Sequence, residues 1–191
     1  MGLIYICQDY LSGSAKESLS TVLEREKLEL ALPITGMAGD ILPLQKSLHS
    51  SLQIKRITDQ AGLLDYADVN CEAYGFPLEW GRSGLSGSTL WTEKAYSFLG
   101  YENDRAVSAA SAIVNDGCLY LALVATRPNQ TGCPKETICG GGCSSCPAAA
   151  HEATGLKRTI LHATDAGYPV YQRVAYHRTA NLRAYKVAAA T

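Results

Sequence analysis

The stretch AVSAASAIVNDGCLYLALVAT, residues 106–126, decides the fold of this chain. Its two halves, Ala106–Ile113 and Cys118–Thr126, are rich in β-branched and small apolar residues, which is typical of buried strands. Asn115-Asp116-Gly117 separates the halves, and this composition favours the tight turn of a β-hairpin. The stretch therefore predicts two antiparallel strands in the interior of a sheet.

The residues before the hairpin predict alternating helices and strands. Asp59 is placed to cap a helix and Gly75 to end it, because an aspartate suits the N-cap and a glycine suits the residue after a helix. The expected elements are a helix over 16–28, a short strand over 30–34, a strand over 52–57, a helix over 60–74, a helical or irregular segment over 78–90 and a strand over 95–101.

After the hairpin, the segment ATGLKRTILHATDAGYPVYQRVAY, residues 153–176, predicts the end of a helix, a strand, a short helix and a further strand. With the preceding elements this order suits a mixed, mostly antiparallel sheet flanked by helices. The expected fold class is therefore α/β (α+β).

Composition narrows the class of function. The 191 residues carry a formal charge of −1, so no basic excess favours a nucleic-acid partner. No apolar run reaches the roughly 20 residues needed to cross a bilayer, and the N-terminal MGLIYICQDY lacks the basic region of a signal peptide. We expect a cytoplasmic protein without a membrane partner. Cys7, Cys71 and Cys118 lie in apolar settings and are expected to be small buried hydrophobes.

Two blocks carry a family resemblance. ADVNCEAYGFPLEW, residues 67–80, with the hairpin, and LHATDAGYPVYQRVAY, residues 161–176, resemble a bacterial subgroup of the GCN5-related N-acetyltransferase (GNAT) family with a partial N-terminal repeat. LALPITGMAGDILP, residues 30–43, resembles the end of that repeat. The resemblance implies a repeat fragment over 1–50 and an acetyltransferase domain over 51–191.

The resemblance also implies an activity: acetyl-CoA-dependent transfer of an acetyl group to a small-molecule or peptide amine, by direct attack and without a covalent enzyme intermediate. Val124, Ala125 and Thr126 match the strand whose backbone binds the pantetheine arm. Tyr171 matches a tyrosine that protonates the leaving CoA thiolate, a role that suits a neutral phenol. Ala175-Tyr176 stands where the family has Gly-Phe, a change expected to preserve packing.

The expected pyrophosphate loop departs from the family pattern Q/R-x-x-G-x-G/A. Gln130, Thr131 and Gly132 match its start and are the expected phosphate-binding residues. Cys133 occupies the first glycine position, and Pro134 has no N–H to donate. The alternative function is therefore a non-catalytic relic of the fold, or a binding or dimerising module.

Three further residues are weaker candidates. His162, next to the strand after the helix, is a candidate base for the amine, with a structural histidine as the alternative. Glu79 and Trp80 are candidates for an acceptor pocket, with a solvated helix end as the alternative. A homodimer is an open expectation for the assembly.

The remaining four of the seven cysteines crowd into one segment: Cys133, Cys139, Cys143 and Cys146. C-x3-C-x2-C spacing formally matches a radical-SAM iron–sulfur motif, but too few residues follow for the barrel that such a motif needs. A zinc site with Cys133 or His151 as fourth ligand is a second alternative, although the spacing fits no common zinc motif.

The third explanation is a compensated frameshift. Reading the codons of residues 134–148 one base out of phase permits QRRRYAEAVVAHALQ, an amphipathic helix of the kind that the family has here. We favour this explanation and expect no metal. The Gly and Ser residues of CGGGCSSC, residues 139–146, further predict a poor helix over 131–147, and weak acetyl-CoA binding as a consequence.

Overall fold

The computed structural model describes residues 4–41, 52–128 and 135–188. Within these residues the chain forms eight strands and five α-helices: β1 Ile4–Cys7, α1 Gly13–Arg25, β2 Leu28–Asp40, β3 Gln53–Arg56, α2 Gln60–Tyr74, α3 Leu78–Ser86, β4 Ala95–Glu102, β5 Arg105–Asn115, β6 Cys118–Thr126, α4 Lys135–Thr154, β7 Arg158–Ala163, α5 Tyr168–Arg173 and β8 His177–Val187. These strands and helices confirm the expected mixed α/β fold class, and the strand pairs with a described register are antiparallel.

The chain divides into two compact units. The larger comprises residues 40–160, and the smaller combines the residues up to 39 with those from 161 onward. The boundary expected near residue 50 between a repeat fragment and the acetyltransferase domain stays a prediction.

The sheet of the larger unit contains the expected hairpin. Its strands follow the order β7-β6-β5-β4-β3. Only the first residues of β7, up to residue 160, belong to this unit. Asp116 and Gly117 have positive φ values, 45° and 76°. A type I′ turn requires a positive φ at both of its central residues. The expectation that β6 and the strand after α4 are neighbours in one sheet is confirmed.

The smaller unit is organised around β8, which pairs with β1 on one side and β2 on the other. Ile4 lies opposite Tyr185, and Ile34 lies opposite Leu182. Strand β1 was not expected from the sequence, and β2 has 13 residues where a five-residue strand was expected. The pairing with β8 extends both segments beyond what their local sequence indicates.

The core of the larger unit surrounds a buried tyrosine. The Tyr66 hydroxyl and Ser111 Oγ lie 2.6 Å apart, and Ser111 Oγ donates to Ser97 Oγ at 2.7 Å. This chain of bonds satisfies hydroxyl groups that are costly to bury alone. The surrounding apolar cluster is Ile57, Leu63, Tyr66, Val69, Leu99, Ala106, Ala109 and Ala125.

Helix α2 begins and ends as its sequence predicts. Asp59 Oδ1 accepts a hydrogen bond from the Gly62 N–H at 2.8 Å, which caps the first turn. Gly75 has a left-handed φ of 71°, and the following Phe76 N–H donates to Cys71 O at 2.9 Å. The bounds 60–74 are those expected, so the two ends of this helix are encoded by local sequence.

Helix α4 corrects one expectation. The prediction of a poor helix over 131–147 is wrong for residues 135–147, because α4 is continuous from Lys135 to Thr154 and includes Pro147. Cys146 and Ala150 are fully buried, and Cys146 Sγ donates to Ala110 O at 3.1 Å. Packing of the C-terminal half against β5 thus overrides the low intrinsic propensity of the glycine residues.

The scattered cysteines agree with expectation only in part. Cys71 is buried, whereas Cys7 and Cys118 are half-buried. Cys118 follows the hairpin turn and its Sγ donates to Asn115 O at 3.0 Å, which keeps it at the sheet margin.

None of the helices in the described part of the chain is both long and apolar enough to cross a membrane.

Candidate functional site

Strand β6 contains a β-bulge near its C-terminal end. Ala109 pairs with Ala125 and Ser111 pairs with Ala122, so the single residue between them on β5 lies opposite Leu123 and Val124 on β6. Leu123 has a φ of 49°, a left-handed conformation that is uncommon for leucine. The extra residue interrupts the regular ladder and redirects the end of the strand.

Beyond the bulge, the backbone of β6 resumes a regular alternation. The Arg127 N–H donates to Val107 O at 2.9 Å. Because hydrogen-bonded pairs alternate in an antiparallel ladder, Ala125 and Ala109 form the next such pair, and Thr126 directs its N–H and C=O away from β5. Of the three residues expected to bind pantetheine, Thr126 therefore has both backbone groups oriented away from β5, as pairing with an extended ligand requires.

The bulge carbonyl already has a partner. Tyr74, the last residue of α2, donates its hydroxyl to Val124 O at 2.9 Å. The Tyr74 ring is 44% exposed and lies 6.4 Å from the ring of Phe76, centroid to centroid. Val124 O therefore keeps one lone pair for a further donor, a restriction that the sequence did not indicate.

The expected phosphate-binding residues Gln130, Thr131 and Gly132 lie outside the described residues. The structure resumes at Lys135, where α4 begins. The first N–H groups of a helix are without intrahelical acceptors and favour anions. Their role at the start of α4 stays a prediction.

Tyr171 lies in the smaller unit, on α5, and is half-buried. Its ring packs edge-to-face on Tyr176, with centroids 5.6 Å apart at 61°. Tyr176 is 7% exposed and contacts Gly39 so closely that a Cβ there would come within 3.0 Å of its ring. The buried Tyr176 therefore restrains the Tyr171 ring, and the catalytic role of Tyr171 stays a prediction.

Ala175 ends α5 in a strained conformation. Its φ is 66°, and the Tyr176 N–H donates to Tyr171 O at 3.0 Å, the long bond of a Schellman motif. A left-handed φ costs an alanine about 1–2 kcal/mol, whereas glycine adopts it freely. This position is the one where the family has glycine, so the change preserves the motif but strains it.

We therefore expect Ala175→Gly to raise the free energy of unfolding by about 0.5–1 kcal/mol, the relief of strain exceeding the added entropy of the unfolded chain. Chemical denaturation measures this. Ala166→Gly is the control, since Ala166 is exposed and has no left-handed φ, and it should lower stability by several tenths of a kcal/mol. Equal effects of the two substitutions would contradict the assignment of strain to Ala175.

His162 lies on β7, in the smaller unit. Its ring centroid is 5.3 Å from that of Tyr5, and desolvation by the surrounding atoms lowers the pKa of His162 below its ordinary value. A lowered pKa keeps the imidazole neutral at pH 7, the form that a base requires. A neutral imidazole is consistent with a structural histidine as well as with a base, so the base role of His162 stays a prediction.

The candidates for an acceptor pocket lie on α3. Glu79 and Trp80 are exposed in the first turn of α3, where Trp80 is 50% exposed.

Within the described residues no group of three or more metal-binding side chains is present. Cys146 lies in the core, with its thiol bonded to Ala110 O, and so is poorly placed to join an exposed metal site.

Comparison with known proteins gives a consistent result at the level of structure. No protein-family model and no curated protein matches the sequence. A GCN5-related N-acetyltransferase from Kribbella flavida matches with a TM-score of 0.64 at 12% identity, over 96% of this chain and 66% of its own. One from Sphaerobacter thermophilus matches with a TM-score of 0.62 at 14% identity, over 96% and 58%.

A third solved structure, a predicted acetyltransferase with acetyl-CoA from Clostridium acetobutylicum, has a TM-score of 0.54 at 14% identity, over 67% of this chain and 91% of its own. This chain thus spans about two thirds or less of the length of the first two proteins. The TM-scores support a common architecture, whereas identities this low leave the activity to be argued from the residues. The chain has the fold of the GCN5-related N-acetyltransferases.

Proposed function

We propose that this protein is an acetyl-CoA-dependent N-acetyltransferase that acts on an amine by direct attack. The observation that carries the proposal is the bulged end of β6, where Thr126 directs its N–H and C=O away from β5. The pantetheine arm of CoA is extended and contains two amides, so it is suited to pair with such a backbone as an added strand would. The neighbouring structures of this fold support the same class of activity.

Thr126 and the N–H of Val124 would hold the pantetheine arm in this proposal. Residues 130–132 and the first N–H groups of α4 would bind the pyrophosphate. A backbone N–H facing the thioester carbonyl would stabilise the oxyanion that forms when the amine attacks. Holding the thioester in one position accounts for much of the rate increase expected for such a reaction.

Tyr171 is the proposed general acid. When the tetrahedral intermediate collapses, the carbon–sulfur bond breaks and the Tyr171 phenol transfers its proton to the thiolate. The attacking amine loses its own proton to a base, for which His162 is the candidate, or to water, and the Tyr171 phenolate then regains a proton from solvent. The products are the N-acetylated amine and free CoA, with no acetyl group left on the protein.

The experiment is an acetyl-transfer assay with a panel of primary amines and N-terminal peptides, in which N-acetylated products are detected by mass spectrometry. We expect product from at least one amine class, dependent on acetyl-CoA and protein. A protein that binds acetyl-CoA but acetylates no amine would favour the binding module. A folded protein that neither binds nor transfers would contradict the proposal.

A further inference from the structure

The last turn of α2 contacts the end of β6 at two points. The Tyr74 hydroxyl donates to Val124 O at 2.9 Å, and Arg127 Nη1 donates to Glu72 Oε1 at 2.7 Å. Val124 belongs to the bulge and Arg127 directly follows β6, so the two bonds bracket the residues between them. We call Glu72, Tyr74 and Arg127 the α2 brace.

The brace is partly buried, which gives it energetic weight. The Arg127 side chain is only 12% exposed, and its Nε is inaccessible and has no hydrogen-bond partner among the described residues. A buried guanidinium depends on its carboxylate, because removing one partner leaves an uncompensated charge. The bond to Glu72 therefore restrains the main chain at Arg127 as well as the side chain.

The bulge is the feature that the brace restrains. Leu123 has a left-handed φ of 49°, so the bulged backbone is strained and needs support from its surroundings. If the bulge were lost, the pairing of the end of β6 with β5 would shift by one residue. Ala125, which is now 4% exposed, would then point out of the core. The same shift would reverse the direction of the Thr126 backbone groups. The bond from Tyr74 to Val124 O is specific to the bulged register.

We propose that Tyr74 is a positioning residue for acetyl-CoA, acting through β6. By holding Val124 O, it keeps the bulge in place and so fixes the Thr126 N–H and C=O in the orientation that the pantetheine arm requires. The Glu72–Arg127 ion pair is the second anchor of the same segment. This inference rests on the proposed function and adds that residues of α2 set the affinity for acetyl-CoA.

Tyr74→Phe tests the proposal, because it keeps the ring and removes only the hydroxyl. We expect Kd and KM for acetyl-CoA to rise about 3- to 10-fold, the equivalent of one hydrogen bond, while KM for the amine stays unchanged. Tyr101→Phe is the matched control in the same unit, since it removes a hydroxyl that donates to Asp65 Oδ2 at 2.8 Å.

The control separates positioning from a general loss of stability. Both variants should lose comparable stability to denaturant, but Tyr101→Phe should leave Kd for acetyl-CoA unchanged. An unchanged Kd in Tyr74→Phe, or an equal rise in both variants, would overturn the proposal. Glu72→Gln keeps an oxygen acceptor for Arg127, so it should raise Kd less than Glu72→Ala does.

A second readout does not depend on acetyl-CoA. Amide hydrogen exchange at Arg127, whose N–H donates to Val107 O, should become faster in Tyr74→Phe and stay unchanged in Tyr101→Phe. If the unaltered protein fails to bind acetyl-CoA but the two variants show this exchange pattern, the proposed function is wrong, whereas the role of the α2 brace in holding β6 is supported. If exchange at Arg127 is the same in both variants, the brace is wrong whatever the ligand.

Discussion

Replacing Tyr171 by phenylalanine is expected to lower kcat for acetyl transfer by about 10²–10⁴-fold, the usual contribution of a general acid, with little change in affinity for acetyl-CoA. The hydroxyl is the only part of the side chain removed, and the edge-to-face contact with Tyr176 is kept. The thiolate must then leave without a proton from the protein, so the chemical step is slowed and binding is not.

The control for this substitution lies on the same helix. Tyr168→Phe also removes a hydroxyl from α5, one that accepts a hydrogen bond from Gln172 Nε2 at 3.0 Å. It should leave kcat within about twofold of the parent, because the assigned proton donor is intact. Steady-state kinetics at saturating acetyl-CoA compare the two. Unchanged turnover in Tyr171→Phe would return Tyr171 to a packing role.

Replacing residues 134–148 by QRRRYAEAVVAHALQ is expected to raise the free energy of unfolding by at least about 3 kcal/mol, because it removes three glycines and also Pro147 from α4. Gly140, Gly141 and Gly142 lie within α4, and each glycine in a helix costs about 1 kcal/mol relative to alanine. The replacement also removes Pro134 from the residues that precede α4 and restores N–H donors there. We therefore expect tighter acetyl-CoA binding together with higher stability.

A triple replacement of Gly140, Gly141 and Gly142 by alanine separates the two effects. It should raise the free energy of unfolding, as measured with denaturant, by less than the full replacement does, because Pro147 remains inside α4. It should also tighten acetyl-CoA binding less, because Pro134 remains. Unchanged stability in both variants would contradict the helix argument. Stoichiometric zinc or iron in the purified protein, or tight acetyl-CoA binding by the unaltered chain, would contradict the frameshift explanation.

Features encoded by neighbouring residues were predictable from the sequence. Asp59 and Gly75 mark the ends of α2, and Asn115-Asp116-Gly117 places the hairpin turn, because caps and turns depend on local hydrogen bonds and φ preferences. The order of strands and helices around them indicated the mixed fold class. These signals act within a few residues, so a single sequence is sufficient to show them.

Features that depend on long-range packing were not predictable. Strand β1 forms because β8 supplies its hydrogen-bond partner. Helix α4 continues through its glycine-rich segment because its C-terminal half packs on β5. The bulge at Leu123 carries no local signal, since leucine is not a residue that favours a left-handed φ. The contacts of Tyr74 and Arg127 with β6 and α2 likewise join residues about 50 positions apart.

Titration of the unaltered protein with acetyl-CoA in a calorimeter tests the central claim most directly. We expect saturable binding at one site per chain, weak in the unaltered protein and tighter after replacement of residues 134–148. CoA lacking the acetyl group should compete for the same site, because the pantetheine arm is common to both. Folded samples of both proteins that give no binding heat and no competition would contradict the assignment of this chain as an acetyl-CoA-dependent enzyme.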